Sequence, residues 1–257
     1  MGIAQQINML GAYCGVRDVD ALSREALRQR YGFDQADVMA LFGGSILCGG
    51  DVLAQAMEVG VAKTYVIVGG AGHTTPTLRQ VMAQAFPGLD TMELSEAALF
   101  DAYIHQKYGL RVDYLEQRST NCGNNITNLL ALLEREDVAW QSMILCQDAT
   151  MQRRMDATLR KHRPDAVIVN FAAYQATVLE TDAGLRYAEP LPGMWDMQRY
   201  INLLMGEIPR LRDDANGYGP LGKGFIAHVD IPPQVLAAHA ALSKQFCTRE
   251  ANSQFAG

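Results

Sequence analysis

Four short stretches concentrate the residues able to hold or transform a small molecule. They are Gly43-Gly44-Ser45, Gly69-Gly70-Ala71-Gly72-His73, residues 119–125 (STNCGNN) and residues 147–154 (QDATMQRR). Each follows an apolar or β-branched run and precedes a helical pattern. Glycine at a strand end lets a ligand approach peptide N–H groups, which a following helix start makes electropositive. One glycine pair is equally well explained as a tight strand-to-helix turn. Two pairs at equivalent strand ends favour a site, giving Gly43, Gly44, Ser45, Gly69, Gly70 and Gly72 as backbone ligands. The spacing GGAGHTT is not G-x-G-x-x-G and no P-loop lysine follows, so neither NAD nor ATP is indicated.

The side chains in these stretches narrow the chemistry. His73, ahead of Thr74, Thr75 and Pro76, either reaches the cleft as a hydrogen-bond donor or general acid–base, or packs as a helix cap. Glu96 follows a capping Ser95, a position that the helix dipole favours in any case. His73 and Glu96 are the acid–base candidates if the protein is instead a hydrolase or transferase acting on a phosphorylated or sugar-containing metabolite. Ser119, Thr120, Asn121 and Asn125 supply more short polar groups than a helix cap requires. Cys122 lies among them, but no adjacent histidine activates it, and a packed thiol is the commoner role. Gln147, Asp148 and Thr150 open the next helical pattern. Arg153 and Arg154 sit unfavourably in its first turns, which suits them to a carboxylate or phosphate, with a solvated surface arginine as the alternative. Arg210, Arg212, Asp213 and Asp214 precede the glycine-rich NGYGPLGKG, which reads as a lid over the cleft or as a surface turn.

These residues need a scaffold, and the apolar runs define one. Residues 36–42, 64–68, 112–115, 142–146 and 166–171 read as strands, the run at 112 being the weakest. Helical patterns occupy 49–59, 76–86, 95–108, 124–136 and 148–162, with Thr75, Ser95 and Asp148 as cap candidates. Strands alternating with helices imply right-handed crossovers and a doubly wound α/β sheet, mainly parallel, in a core spanning 36–171. Residues 1–34 form a helical N-terminal extension, with helix over 4–31 as an added layer. Residues 180–193 read as loop. Residues 193–257 form a C-terminal helical region with helices at 195–206 and 233–246 and the possible lid at 217–224. All 257 residues are read as one domain.

Lys and Arg total 22 against 28 Asp and Glu, so a net charge of −6 gives no overall attraction to nucleic acid or an anionic membrane. The five cysteines are scattered and odd in number, and the five histidines show no helical ligand spacing. No metal and no disulfide framework are expected. Without an apolar run near the roughly 20 residues of a membrane span, or basic residues ahead of the first apolar stretch, a cytoplasmic protein is expected. An exposed apolar surface at Trp195 or the N-terminal helices would instead indicate a partner-binding module.

The succession DVMALFGGS, VIVGGAGH, Glu96, RSTNCGNN and QDATMQRRMDATLR resembles the bacterial family that contains SanA, ElyC and YdcF. GEIPRLRDDANGYGPLGKGFIAHVDIP resembles the YdcF-type C-terminal region. The resemblance implies a Rossmann-like fold with a cleft lined by these motifs, and S-adenosylmethionine as ligand without an established reaction. SanA and ElyC are tied to the cell envelope through a membrane segment that has no counterpart here, so that role is not carried over. Two positions depart from the family. Asn124 stands where a Glu is common, and Thr150-Met151 stands at a His–Met pair. A family-wide acid–base mechanism is therefore not implied.

Overall fold

The computed structural model describes residues 1–44, 46–72 and 75–246, with Cys122 described by its backbone alone. Ser45, His73 and Cys247 lie outside the described residues. Five strands form one parallel sheet in the order β3-β2-β1-β4-β5: β1 (Ala36–Phe42), β2 (Ala62–Val68), β3 (Tyr114–Glu116), β4 (Ser142–Cys146) and β5 (Val167–Asn170). Central β1 pairs Leu41 with Ile67 of β2 on one side and with Cys146 of β4 on the other. Alternate side chains enter two separate cores, because successive Cβ atoms on a strand point to opposite faces. Met39, Leu41, Ile67 and Ile144 face one, and Val38, Ala40, Val66 and Leu145 face the other. Continuous apolar runs such as SMILC are the signature of strands covered on both faces.

The helices are α1 (Ile3–Cys14), α2 (Arg24–Tyr31), α3 (Cys48–Val59), α4 (Thr75–Ala85), α5 (Glu96–Tyr108), α6 (Cys122–Arg135), α7 (Gln152–His162), α8 (Met197–Leu211) and α9 (Pro233–Leu242). Leu53 of α3 and Phe100 of α5 fill the first core, while Ile126 and Leu129 of α6 and Met155 of α7 fill the second. This is the doubly wound, Rossmann-like α/β arrangement. Ser95 caps α5 as expected, accepting the Ala98 N–H. Asp148 does not cap α7. Its carboxylate accepts from the Thr150 N–H and hydroxyl, closing a turn that delays the helix to Gln152. Thr75 likewise lies inside α4, its hydroxyl turned to Gly72 and Glu96 rather than to its own helix.

The expected helix over 4–31 is two helices. Residues 15–23 break it because Arg17 forms an antiparallel bridge with Phe171 at the sheet edge, which helical backbone cannot make. The expected loop over 180–193 contains most of a hairpin, β6 (Val178–Thr181) with β7 (Gly184–Tyr187), turned by Gly184 at φ 105°. α1 packs on α8, α9 and β6, forming the added layer. No described helix is long and apolar enough to cross a membrane.

At the amino ends of the strands, Asp37 ties β1 to β4. Its carboxylate accepts the N–H groups of Gln141 (2.9 Å) and Ser142 (3.0 Å) and the Ser142 hydroxyl, and pairs with Lys63 at 2.8 Å. Burial raises its pKa, but those donors outweigh it and hold it at about 2. A folded value below the unfolded one gives stability that is present above the unfolded pKa and lost as pH falls through about 2. Asp37→Asn is therefore expected to cost about 2 kcal/mol at neutral pH. In urea unfolding, the gap between wild type and variant should close as the pH is lowered through the acid range, and a pH-independent gap would contradict this.

Candidate functional site at the strand switch point

The chain leaves β1 toward α3 on one face of the sheet and β4 toward α7 on the other. Loops diverging from adjacent strands open a crevice at their carboxyl ends, which is where open α/β sheets bind ligands. A cavity of about 80 Å³ occupies this crevice. It brings together Gly43, Gly44, Gly69, Gly70, Gly72 and Glu96 with Ser119, Thr120, Asn121 and Asn125, and with Gln147, Asp148 and Thr150.

None of these five glycines has a positive φ, and at Gly43, Gly69 and Gly70 the missing side chain serves close approach. A Cβ on Gly43 would lie 2.5 Å from Glu96 Oε2, and one on Gly69 would lie 3.0 Å from Glu96 Cβ. The gap between the β1 and β2 ends thus admits Glu96, which is 8% exposed. Its own N–H donates to Gly70 O at 2.9 Å and the Ala97 N–H to Gly69 O at 2.8 Å, seating the start of α5 on the glycine turn. A relay of hydrogen bonds fixes the carboxylate. The Gly72 N–H donates to the Thr75 hydroxyl (2.7 Å), which donates to Glu96 Oε1 (2.8 Å).

Across the crevice, four donors converge on Asp148. Oδ1 accepts from the Thr150 N–H and hydroxyl and from the Tyr174 hydroxyl at 2.9 Å, and Oδ2 accepts from Trp195 Nε1 at 3.0 Å. Burial, with Asp148 alongside, holds the Tyr174 pKa well above the phenol range, so it stays a donor. Gln147 is 1% exposed. Its Oε1 is committed to the Asp148 N–H at 2.6 Å, which fixes the amide orientation and leaves Nε2 without a partner among the described residues. A buried donor without an acceptor costs on the order of 1–3 kcal/mol.

On the third side, the Ser119 hydroxyl accepts from the Gly70 N–H at 3.2 Å. Asn121 and Asn124 form a reciprocal capping box at the start of α6. Asn124 Oδ1 accepts the N–H groups of Asn121 and Thr120, so Asn124 supports the loop and does not line the cavity.

Arg153 and Arg154 do not line the cavity. Arg153 donates through Nε to Tyr13 O and stacks on the Tyr13 ring at 4.1 Å, while Arg154 forms a two-pronged ion pair with Glu207 of α8. Successive residues at a helix start point to different neighbours, and here both neighbours belong to layers outside the sheet. Glycine-rich 217–224 also stays away from the cavity. It folds on itself through bonds such as Lys223 N–H to Gly217 O (3.0 Å). The residues that wall the cavity from the C-terminal region are Trp195 and Leu203, joined by Met151. The sequence singled out Trp195 only as a possible exposed apolar surface; it is partly buried and walls the cavity.

Among the described residues, no lysine or arginine lines the cavity, whereas two buried carboxylates do. No group of His, Cys, Asp and Glu among them is placed to hold a metal ion. Cys48 and Cys146 are packed thiols, with burial raising each to about 12. No protein-family model matches the sequence.

Proposed function

We propose that the switch-point cleft binds a nucleoside-type small molecule carrying positive charge, with S-adenosylmethionine as the leading ligand, in a cytoplasmic protein of the SanA, ElyC and YdcF family. The observation that carries small-molecule binding is the buried Nε2 of Gln147 at the cavity wall, which has no partner among the described residues. A donor held in that state gains an acceptor when a ligand enters. The charge of the lining supports the class: Glu96 and Asp148 suit a sulfonium or ammonium group and ribose hydroxyls, and among the described residues no lysine or arginine lines the cavity to attract a phosphate. Trp195 offers an aromatic face for a purine.

The cavity encloses about 80 Å³, the space of a few waters. A whole nucleoside is larger, so part of it would extend from this space past Trp195 and Leu203. Two hydrogen bonds position the Trp195 wall, Trp195 Nε1 to Asp148 and the Tyr187 hydroxyl to Trp195 O at 3.0 Å.

Calorimetric titration of the full chain with S-adenosylmethionine is expected to give saturable heat. Gln147→Ala is expected to weaken binding about tenfold, the worth of one buried hydrogen bond. An absence of heat at millimolar ligand would remove this reading. The second reading is hydrolysis or transfer on a sugar-containing metabolite. It is favoured by two buried carboxylates in one cavity, which is the equipment of general acid–base catalysis. Turnover of a glycoside panel that Glu96→Gln abolishes would establish it.

A further inference from the structure

A second and larger cavity, of about 570 Å³, lies behind the cleft between α1, the start of α7 and the segment that follows β5. Arg17 and Arg153 are the charged residues among those that line it, and no acidic residue does. Each arginine is held in the same way. Arg17 donates through Nε to Ala172 O at 2.8 Å and lies 4.0 Å over the Phe171 ring. Arg153 donates through Nε to Tyr13 O and lies over the Tyr13 ring. With Nε and one face occupied, the terminal amino groups of both guanidinium forks remain. Among the described residues, neither arginine has a carboxylate within ion-pairing distance.

In a chain of net charge −6, two fixed guanidinium groups beside one cavity and without acids are an uncompensated charge pair. Burial pulls the Arg17 pKa below its usual value, with no carboxylate opposing it. Side chains already ordered lose little entropy when they take a bidentate oxyanion, for which the planar fork is shaped. Asn8 and Tyr174 also line the cavity, but their polar groups are committed to Val178 and Asp148.

We propose that this cavity is a binding site for the phosphate or carboxylate group of a small metabolite, with Arg17 and Arg153 as its ligands. It is separate from the switch-point cleft and does not depend on what that cleft binds. The two share a wall, since Tyr174 lines this cavity while its hydroxyl donates to Asp148 in the other.

The test is titration of the full chain with inorganic phosphate and, in a second arm, succinate, each at constant ionic strength set with sodium chloride. Saturable binding in either arm is expected, and the responding arm identifies the oxyanion. Arg17→Gln and Arg153→Gln are each expected to weaken it at least about tenfold, the loss of one charge-assisted pair. Arg30→Gln, on the exposed face of α2, is expected to leave it unchanged. Saturation in neither arm by about 10 mM would overturn the proposal, as would unchanged affinity in either cavity variant. Should those variants not fold, the Nε–Hε signals of Arg17 and Arg153 in the wild-type protein provide the same decision. Both move with the responding anion if the site is real, and stationary signals overturn it.

Discussion

Arg154→Met is expected to lower the stability of the protein by about 3–5 kcal/mol, the usual cost of leaving one member of a buried ion pair without its partner. The pair joins α7 to α8: Arg154 Nε lies 2.5 Å from Glu207 Oε2 and Nη2 lies 2.9 Å from Oε1, with the side chains only 12% and 5% exposed. Water cannot take over the role of the guanidinium at such a position, so the Glu207 carboxylate stays desolvated and uncompensated. The double variant Arg154→Met/Glu207→Leu separates that penalty from the net worth of the pair. Replacing both charges by apolar groups of similar size is expected to recover most of the loss, because the attraction between two buried charges little more than offsets their desolvation. Urea unfolding of the three proteins measures this directly. If the double variant is as unstable as the single one, the pair is itself stabilising and the desolvation account is wrong.

Gly70→Ala is expected to cost about 1–3 kcal/mol and to abolish ligand binding in the cleft, whereas Gly44→Ala, in the same cavity wall, is expected to be nearly silent in stability. The contrast follows from what surrounds each position. A Cβ on Gly70 would overlap Ser119 O and lie 2.7 Å from Gln117 O and 2.9 Å from Ser119 N, all backbone atoms that no rotamer change can move. Among the described residues beyond its chain neighbours, the nearest atom to a Cβ on Gly44 is Gln147 Oε1 at 3.8 Å, an ordinary contact. Relieving the Gly70 overlap would push residues 117–119 away from β2 and carry Ser119 and Thr120 out of the cavity. Thermal unfolding and calorimetric titration of both variants decide the matter. Equal costs at the two positions would mean that close approach is not what the glycine provides.

The strands that carry the site were legible in the sequence because all-apolar runs have one stable destination, the middle of a sheet covered on both faces. β1 and β4 fall at the limits the apolar runs set, and the glycine turns, Glu96, the polar loop and Gln147-Asp148 arrive at one crevice because parallel strands end on the same side. The hairpin was not legible. Of β6, only Val178 is buried, and four residues with a single buried side chain have no readable alternation. The destinations of Arg153 and Arg154 were not legible either. Their partners, Tyr13 and Glu207, stand 140 and 53 residues away, and helix-dipole reasoning concerns only the local turn. Trp195 was hidden for the same reason. Its role is set by an indole N–H that meets a carboxylate 47 residues earlier in the chain.

The packing of α1 against α8 and α9 has a consequence for the chain as it is made. The Tyr13 hydroxyl bonds Asp230 O, 217 residues further on. At about 5–20 residues per second, the first helix leaves the ribosome on the order of 10–40 s before its last partner exists. Over that interval the parallel sheet can assemble, since β1 to β5 and their crossovers are complete by residue 170. The apolar stripe of Ile7, Leu10 and Cys14 meanwhile stays without most of its cover. The nascent protein is thus a finished sheet with an open flank, and that flank is the surface a chaperone would meet first.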